Sequence, residues 1–545
     1  VASPNHIIGA LLQEYADLLH VSGSQGFKAR AFERAARAIS GHDVDVATLD
    51  LKELQQIPNV GKSTAEKVIE YFSTGRMASL ENLREQVPVG TRQLMAIPGL
   101  GPTRAMMLAG TLKVTTIDEL LEAIEAGKLD GMRGFGPKGV ENILRGIGQL
   151  REGGGRVLIN KAFAVALDFL GTISKLDGCE RVEIAGSLRR MKDFIRNVDL
   201  VAASPDPAAL TAAFERLPLV SEVLGPGSIR AVGGMQVDLH AVTPSSFGSA
   251  WQYWTGSASH NAALRAPDGP FATEEEVYAS VGLPWIPPVL REDRGELTKP
   301  LPELVTVDDL RGDLHTHTDL TDGIAPLEKM LAAARERGYE YYAVTDHAPN
   351  LVMQRMTTEK MLKQRAQLRA ISIDGMELLH GTELNIDPDG EVDWDVEFLA
   401  GFDICVASVH SLFGQPQAEM TRRLIRACQN PCVNIIGHLT TRQIGRRPRI
   451  QADFDAVFEA AAATGTAIEV NSFPDRLDLP DDLIFRAREF GVKFAIDSDA
   501  HSTVHLRNMR YGVAIAQRGW VEKDEVINTW PLARLREFVA AKRQT

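Results

Sequence analysis

Cysteine is scarce, with four residues in a chain of 545. That is too few for a disulfide scaffold, and the Cys428–Cys432 spacing is not that of a usual zinc pair. The thiols therefore read as reduced and mostly buried, as in a cytosolic protein. Long apolar runs are also lacking, so no segment is expected to span a bilayer. The N-terminal stretch does not have the build of a signal peptide, because Glu14 and Asp17 interrupt its apolar periodicity. Positive charge is in deficit: 59 Lys and Arg against 72 Asp and Glu leave a net charge of −13. This weighs only weakly against a nucleic-acid partner, because local patches and helix N-termini do the binding. A metal site rich in carboxylates would also push the count negative. What the chain does have is 44% apolar residues, which excludes disorder, and a length that predicts three or four domains.

An internal repeat organises the N-terminal part. "IPNVGKSTAEKVIEYF" starts at Ile57, "IPGLGPTRAMML" at Ile97 and "MRGFGPKGVENIL" at Met132. Each is an apolar residue, a tight hairpin and an amphipathic helix. Gly99, Gly101, Gly134 and Gly136 let the backbone turn sharply and leave the first helical amides free to meet a phosphate. The first copy has Asn59 where the others have Gly, and Asn tolerates positive φ better than most residues. The pattern resembles the helix-hairpin-helix motif, which grips DNA backbone and positions rather than specifies. An ordinary packing repeat is the alternative, and repetition favours backbone binding. Upstream, "GFKARAFERAARAI" (26–39) reads as a basic amphipathic helix, with Lys28 on its polar face. "GQLREGGGR" (148–156) is a Gly-rich hinge and marks a boundary.

The next block carries "RVEIAGSLRR", read as a strand, a turn and basic residues, and "NVDLVAAS" and "GGMQVDLHAV", each read as a strand. Asp199 and Asp238, beside the Gly186–Ser187 turn, form a candidate site for Mg²⁺ and a triphosphate, with Ser187 and Arg189 on phosphate oxygens. Together with "VDLHAVTPSSFGSAWQYWTGSASHNAALR" and "TEEEVYASVGLPWIPPVLRE", these motifs resemble the bacterial and archaeal family X DNA polymerases. The resemblance covers nearly the whole chain. It implies a lyase-like helical domain at 1–90, fingers at 91–150, and an α+β nucleotidyltransferase palm and thumb at 156–290. It also implies that Gly186, Ser187 and Arg189 bind triphosphate and that Tyr253 and Gly256 of "YWTGS" sense the incoming sugar. Asp199 and Asp238 match two of three catalytic carboxylates, and Asn197 stands at the third position. Lys28 and Lys67 match lysines that bind a 5′-phosphate or form a Schiff base, although Lys67 also reads as a solvated helix lysine. Two further departures bear on polymerisation: most of a thumb segment after "NAALR" is missing, and Ala258 stands where relatives often have lysine.

After a linker at 291–311, the block at 312–545 shows seven short apolar runs, mostly separated by helical stretches. They are "GDLHTHT", "YEYYAVTDH", "MELLHGTELN", "FDICVASVH", "CVNIIGH", "TAIEVNS" and "KFAIDSDAH". The alternation predicts a parallel β/α architecture, in which strand C-termini converge on one face. All but the sixth run end in His, Asp or Glu, which gathers His315, His317, Asp322, His347, Glu383, His410, His438, Asp499 and His501. Imidazole and carboxylate together suit Zn²⁺, Mn²⁺ or Fe, and nine ligands imply two or three ions with Glu383 bridging. This block resembles the polymerase-and-histidinol-phosphatase (PHP) phosphoesterase domain, a distorted (β/α)7 barrel. "NSFPDRLDLPDD" (471–482) also resembles that family, and its Arg476 is a candidate phosphate contact or ion-pair partner.

The expectation is a multidomain DNA-repair enzyme. A family X polymerase fills short gaps using dNTPs with Mg²⁺ or Mn²⁺, and a PHP 3′–5′ exonuclease with Mn²⁺ or Zn²⁺ trims ends. Its partners would be gapped or nicked DNA, its state monomeric and its place the cytoplasm, at the nucleoid. One alternative keeps the nuclease on a degenerate palm. Another is a small-molecule phosphatase resembling histidinol phosphatase.

Overall fold

The computed structural model describes residues 4–21, 26–42, 44–74, 76–86, 94, 97, 100, 102–114, 116–129, 131–132, 134–136, 139–141, 143–144, 146–147, 157–232, 234–354 and 356–544. The chain divides into two compact units, Ala2–Gly154 with Gln443–Pro448, and Gly155–Arg442 with Arg449–Thr545.

The first unit is helical. Helices Pro4–Val21 and Gly26–Ser40 pack through Tyr15 and Phe32, whose rings meet edge-on at 4.8 Å. The repeat is visible atom by atom. The amides of Ile57, Ile97 and Met132 donate to the carbonyls of Leu54, Leu94 and Leu129 at 3.2, 3.1 and 3.1 Å. Those of Val60, Leu100 and Phe135 then donate back to Ile57, Ile97 and Met132, each at 3.0 Å. The same two turns thus recur with an apolar side chain every third residue, and Leu54, Leu94, Leu129, Val60, Leu100 and Phe135 are all buried. Asn59 has φ +66° and Gly134 φ +90°, so the first copy reaches with Asn the left-handed turn that the third reaches with Gly. A Cβ on Gly136 would meet nothing within 4 Å, so space alone does not require glycine there. Gly99 and Gly101 lie outside the described residues.

The second unit begins with a five-stranded sheet, order β1-β2-β5-β4-β3: β1 Arg181–Ile184, β2 Asn197–Ala203, β3 Val220–Gly225, β4 Ser228–Ala231 and β5 Gln236–Val242. β2 and β5 run parallel, with Asp199 directly opposite Asp238. Period-two alternation puts Val198 and Leu200 in the core and Asn197 and Asp199 on the other face. Behind the sheet, Phe169 and Phe214 pack at 5.8 Å from helices Ile159–Ile173 and Pro207–Phe214. Two short helices, Ala258–Leu264 and Glu274–Ser280, follow where the thumb was expected.

The rest is a seven-stranded, all-parallel sheet in chain order: β6 Gly312–Asp313, β7 Tyr341–Val344, β8 Glu377–Asn385, β9 Ile404–Ser408, β10 Ile435–Ile436, β11 Ala467–Asn471 and β12 Phe494–Asp497. All seven apolar runs are strands, although β6 and β10 each keep only two residues. The sheet curls until its edges meet, and Thr316 bridges Ala500 in parallel. Lower down, a side chain replaces the missing ladder. Asn528 Nδ2 donates to the carbonyls of Gly312 (2.9 Å) and Ile496 (2.6 Å), while its Oδ1 accepts from the Ile496 amide at 3.0 Å. The interior is filled by Leu314, Tyr341, Leu379, Val406, Ile435, Ala467 and Ala495, with Ile527 and Trp530 packed against them.

Candidate metal centre and palm site

Every strand of the barrel delivers something polar to its C-terminal end. His315 and His317 follow β6, His347 follows β7, Glu383 lies inside β8, His410 follows β9, His438 follows β10, and Asp499 and His501 follow β12. Asp322 comes from the loop after β6. Side chains of His317, Asp322, His347 and His501 converge, as do those of His315, His317 and Asp499, and those of His347, Glu383 and His410; in each group the donor atoms lie within 4.8 Å of one another. His317 and His347 are each shared by two groups, which suits adjacent ions. Glu383 sits at the centre: its Oε1 lies 3.0 Å from His438 Nε2 and 3.1 Å from His410 Nε2, and its Oε2 lies 2.9 Å from His347 Nδ1. Burial alone would raise its pKa; His347, His410 and His315 override that and hold the carboxyl well below its usual range.

The donor set fits dications. Buried His317 Nδ1 and Asp322 Oδ1 have no hydrogen-bond partner, an expensive arrangement unless a cation completes it. Where one imidazole nitrogen faces the centre, the other is often tied down from behind. His315 Nδ1 lies 2.6 Å from Glu469 and His410 Nδ1 lies 2.7 Å from Asn385 Oδ1, the outer-shell pattern that orients metal-binding histidines. Arg476 reaches Asp499 at 3.5 Å, so the ion-pair reading of that residue describes the structure.

Sequence reasoning missed the supporting carboxylates. Glu469 is the acidic residue of the sixth run, placed mid-strand rather than at its end. Asp313 and Asp497 are fully buried, and burial pushes Asp313 up to about 6. Asp346, one residue before His347, accepts from Thr318 N and Oγ1, Thr321 Oγ1 and Gln364 Nε2 at 2.9, 2.7, 2.6 and 2.6 Å, and so pins the loop that carries Asp322. The available signal was an acid inside an otherwise apolar strand.

In the palm, Asn197 Nδ2 donates to Asp199 Oδ1 at 3.0 Å and to Asp238 Oδ2 at 2.7 Å, so the amide ties the two carboxylates together. Ser228 Oγ also donates to Asp238, and His240, stacked on Trp254 at 3.5 Å, lies 3.3 Å from Asp199. Gly186 has φ +64°, and a Cβ there would fall 2.1 Å from Asp199 Oδ2, so the turn passes the aspartate only as glycine. Ser187 lies beside it in the one-turn helix Gly186–Arg189. Arg189 is placed differently from the expectation. Its guanidinium pairs with both oxygens of Glu274 at 2.6 and 2.8 Å and stacks on Trp251 at 3.5 Å, so it is largely committed to protein partners. Tyr253 is exposed. A Cβ on Gly256 would meet Asn261 Oδ1 at 2.2 Å.

In the helical unit Lys28 is exposed, while Lys67 is only partly so. Lys67 Nζ lies 5.3 Å from the Tyr15 ring, and burial, reinforced by Lys28, lowers its pKa. It is therefore not the fully solvated lysine that the helix pattern suggested.

Residues 3–77 match a helix-hairpin-helix domain family, 91–148 a SAM-like helix-hairpin-helix tandem, and 313–473 the PHP domain. The chain is 33% identical over 560 residues to the DNA polymerase/3′-5′ exonuclease PolX of Bacillus subtilis (strain 168), covering 97% of this chain and 98% of that one. The chain belongs to the PolX family. Probable phosphatases of Thermoanaerobacter sp. (strain X514) and Shewanella sp. (strain MR-4) are 29% and 28% identical, but they cover only 43% and 42% of this chain. A PolX chain thus shares one part with those phosphatases and adds the palm and the hairpins. Among the described residues no helix is long and apolar enough to cross a membrane.

Proposed function

We propose that this PolX chain fills short gaps in DNA slowly with its palm and trims 3′ ends with its barrel. The observation that carries the nuclease is the convergence of six histidines and two further carboxylates around Glu383 at one end of the barrel. Two or three Mn²⁺ or Zn²⁺ ions held there would supply a metal-bound hydroxide and neutralise a phosphodiester. His315, His317, Asp322, His347, Glu383, His410, His438, Asp499 and His501 would hold them. Glu469 would orient His315, and the Asp346 network would fix the Asp322 loop. The three hairpins, with Lys28 and Lys67, would hold gapped or nicked DNA through its backbone.

The palm would place Mg²⁺ or Mn²⁺ on Asp199 and Asp238, with Gly186, Ser187, Tyr253 and Gly256 around a dNTP. Asn197 favours a weakened version of this chemistry. An amide offers one neutral oxygen, and its NH₂ group, here pointed at both carboxylates, cannot ligate a cation. This same observation favours the second reading, a DNA-bound nuclease on a palm that no longer polymerises. One gapped substrate assayed with Mn²⁺ for extension and for 3′ digestion separates the readings. Both products support the first and digestion alone the second. Neither product, with turnover of a small phosphate ester, would sink both.

A further inference from the structure

The five residues Arg189–Asp193, which lead out of the Gly186–Arg189 turn, are gripped by the nuclease barrel. Arg518, the last residue of barrel helix Met509–Arg518, is 1% exposed and donates to three partners from three parts of the chain. These are the carbonyl of Arg190 (2.7 Å), Glu292 (2.9 Å) and Asp481 (2.6 Å). Glu292 in turn accepts from Arg190 Nε at 2.9 Å, and Arg190 Nη1 donates to the Thr255 carbonyl, inside "YWTGS", at 2.7 Å. Three residues further on, Asp193 pairs with barrel residue Arg442 at 2.9 Å. Arg442 itself donates to the carbonyls of Arg476 and Leu477. Burying a guanidinium costs several kcal/mol unless geometry and extra hydrogen bonds repay it, so such a cluster fixes one arrangement of its partners more than it adds stability. What this cluster fixes is the exit of the phosphate turn and the "YWTGS" backbone together.

We propose that Arg518 and Arg442, both from the barrel, are positioning residues for the nucleotide in the palm. They hold the Arg190–Asp193 segment and, through Arg190, the Thr255 carbonyl, so that Ser187 and Gly256 face one ligand in a fixed geometry. This rests on the reading of the palm as a nucleotide site. A planar fork reaches three separated acceptors where an ammonium reaches fewer, so Arg518→Lys keeps the charge and loses the geometry.

The test uses the full chain and dATP with Mn²⁺ as the probe, followed by calorimetric titration and by gap filling. Asp193→Asn removes the Arg442 ion pair while leaving the bonds of Arg442 to Arg476 and Leu477 in place. Arg518→Lys and Asp193→Asn should each weaken dATP binding, by about tenfold and by less respectively, as expected when a reacting group is held loosely. KM for dATP should rise more than kcat falls. Asp193→Glu should keep most of the binding. In Asp193→Asn, 3′ digestion and the melting temperature should stay at the native values. A purely structural role would move melting, digestion and binding together, and that result overturns the proposal. So does unchanged dATP affinity in both variants. A native chain that binds no dATP overturns the palm reading itself, and this proposal with it.

Discussion

Asn197 and Glu274 show how much one side chain decides in the palm. The Asn197 amide donates to Asp199 and Asp238, which relieves the repulsion between two carboxylates placed opposite each other on parallel strands. It does so without offering the charge that a second dication needs. Asn197→Asp restores that charge, and we expect gap filling with Mn²⁺ to rise at least several-fold while 3′ digestion hardly changes; each tenfold gain corresponds to ~1.4 kcal/mol of transition-state stabilisation. Primer extension at saturating DNA measures this, and brisk native extension with Mg²⁺ that Asn197→Asp fails to improve would refute it. Glu274 is the mirror case, an acid held by two guanidiniums. Burial pushes its pKa up, but Arg189 and Arg291 override this and lower it from 4.5 to about 2. A carboxyl with a depressed folded pKa contributes stability that is fully present above 4.5 and is lost as pH falls toward about 2. Glu274→Gln should therefore cost about 3–5 kcal/mol at pH 7, because Arg291 is left buried without its counter-charge. Thermal unfolding of native and variant chains should show the gap narrowing as pH drops from 5 to 3. A gap that stays constant over that range would show that the ionised pair is not its source.

At the scale of elements, the barrel was largely legible and its closure was not. Seven apolar runs, six of them with His, Asp or Glu at their ends, announce parallel strands that share one functional face, because burial on both sides demands continuous apolar sequence and the C-terminal ends converge. The hairpin repeat was legible for the same reason: Leu54, Ile57 and Val60 recur in kind as Leu94, Ile97 and Leu100, and a periodic core leaves a periodic sequence. Glu469, Asp313 and Asp497 were hidden because a single acid in an apolar strand carries no pattern of its own. The Arg189–Glu274 pair was hidden because its members lie 85 residues apart. Asn528 was hidden too, since nothing local marks a side chain that stands in for a strand. It satisfies backbone groups of Gly312 and Ile496, on β6 and β12, strands whose ends carry His315, His317 and Asp499. Asn528→Ala leaves those groups dry, at about 1–3 kcal/mol for each one that water cannot reach. We expect a lower melting temperature and fewer bound metal ions per chain, because the His315–His317–Asp499 group straddles the seam. A variant that melts lower but retains its full metal complement would separate closure from ligand placement.

For the whole molecule, the division into two units has a functional consequence. The metal-binding cluster belongs to one unit and the helix-hairpin-helix repeats to the other. Changes at sites that share no partners usually add, so damage to the cluster should leave DNA affinity alone. His315→Ala or Asp499→Ala should abolish 3′ digestion, while the dissociation constant for gapped DNA stays near the native value. Salt gives an independent handle on the same division. Backbone contacts release counterions, and log affinity falls linearly with log salt concentration at a slope set by the number of phosphates neutralised. Native, His315→Ala and Asp499→Ala chains should therefore share one steep slope, whereas turnover of a small phosphate ester by the native chain should barely respond to salt. The hairpin amides would contribute to binding without formal charge, which would let a chain of net charge −13 hold a polyanion. Undiminished digestion in both variants would place the nuclease elsewhere in the chain. A flat salt response of DNA binding would show that cations such as Lys28 and Lys67 neutralise no phosphates, and would leave the uncharged hairpin amides as the only part of the proposed interface still standing.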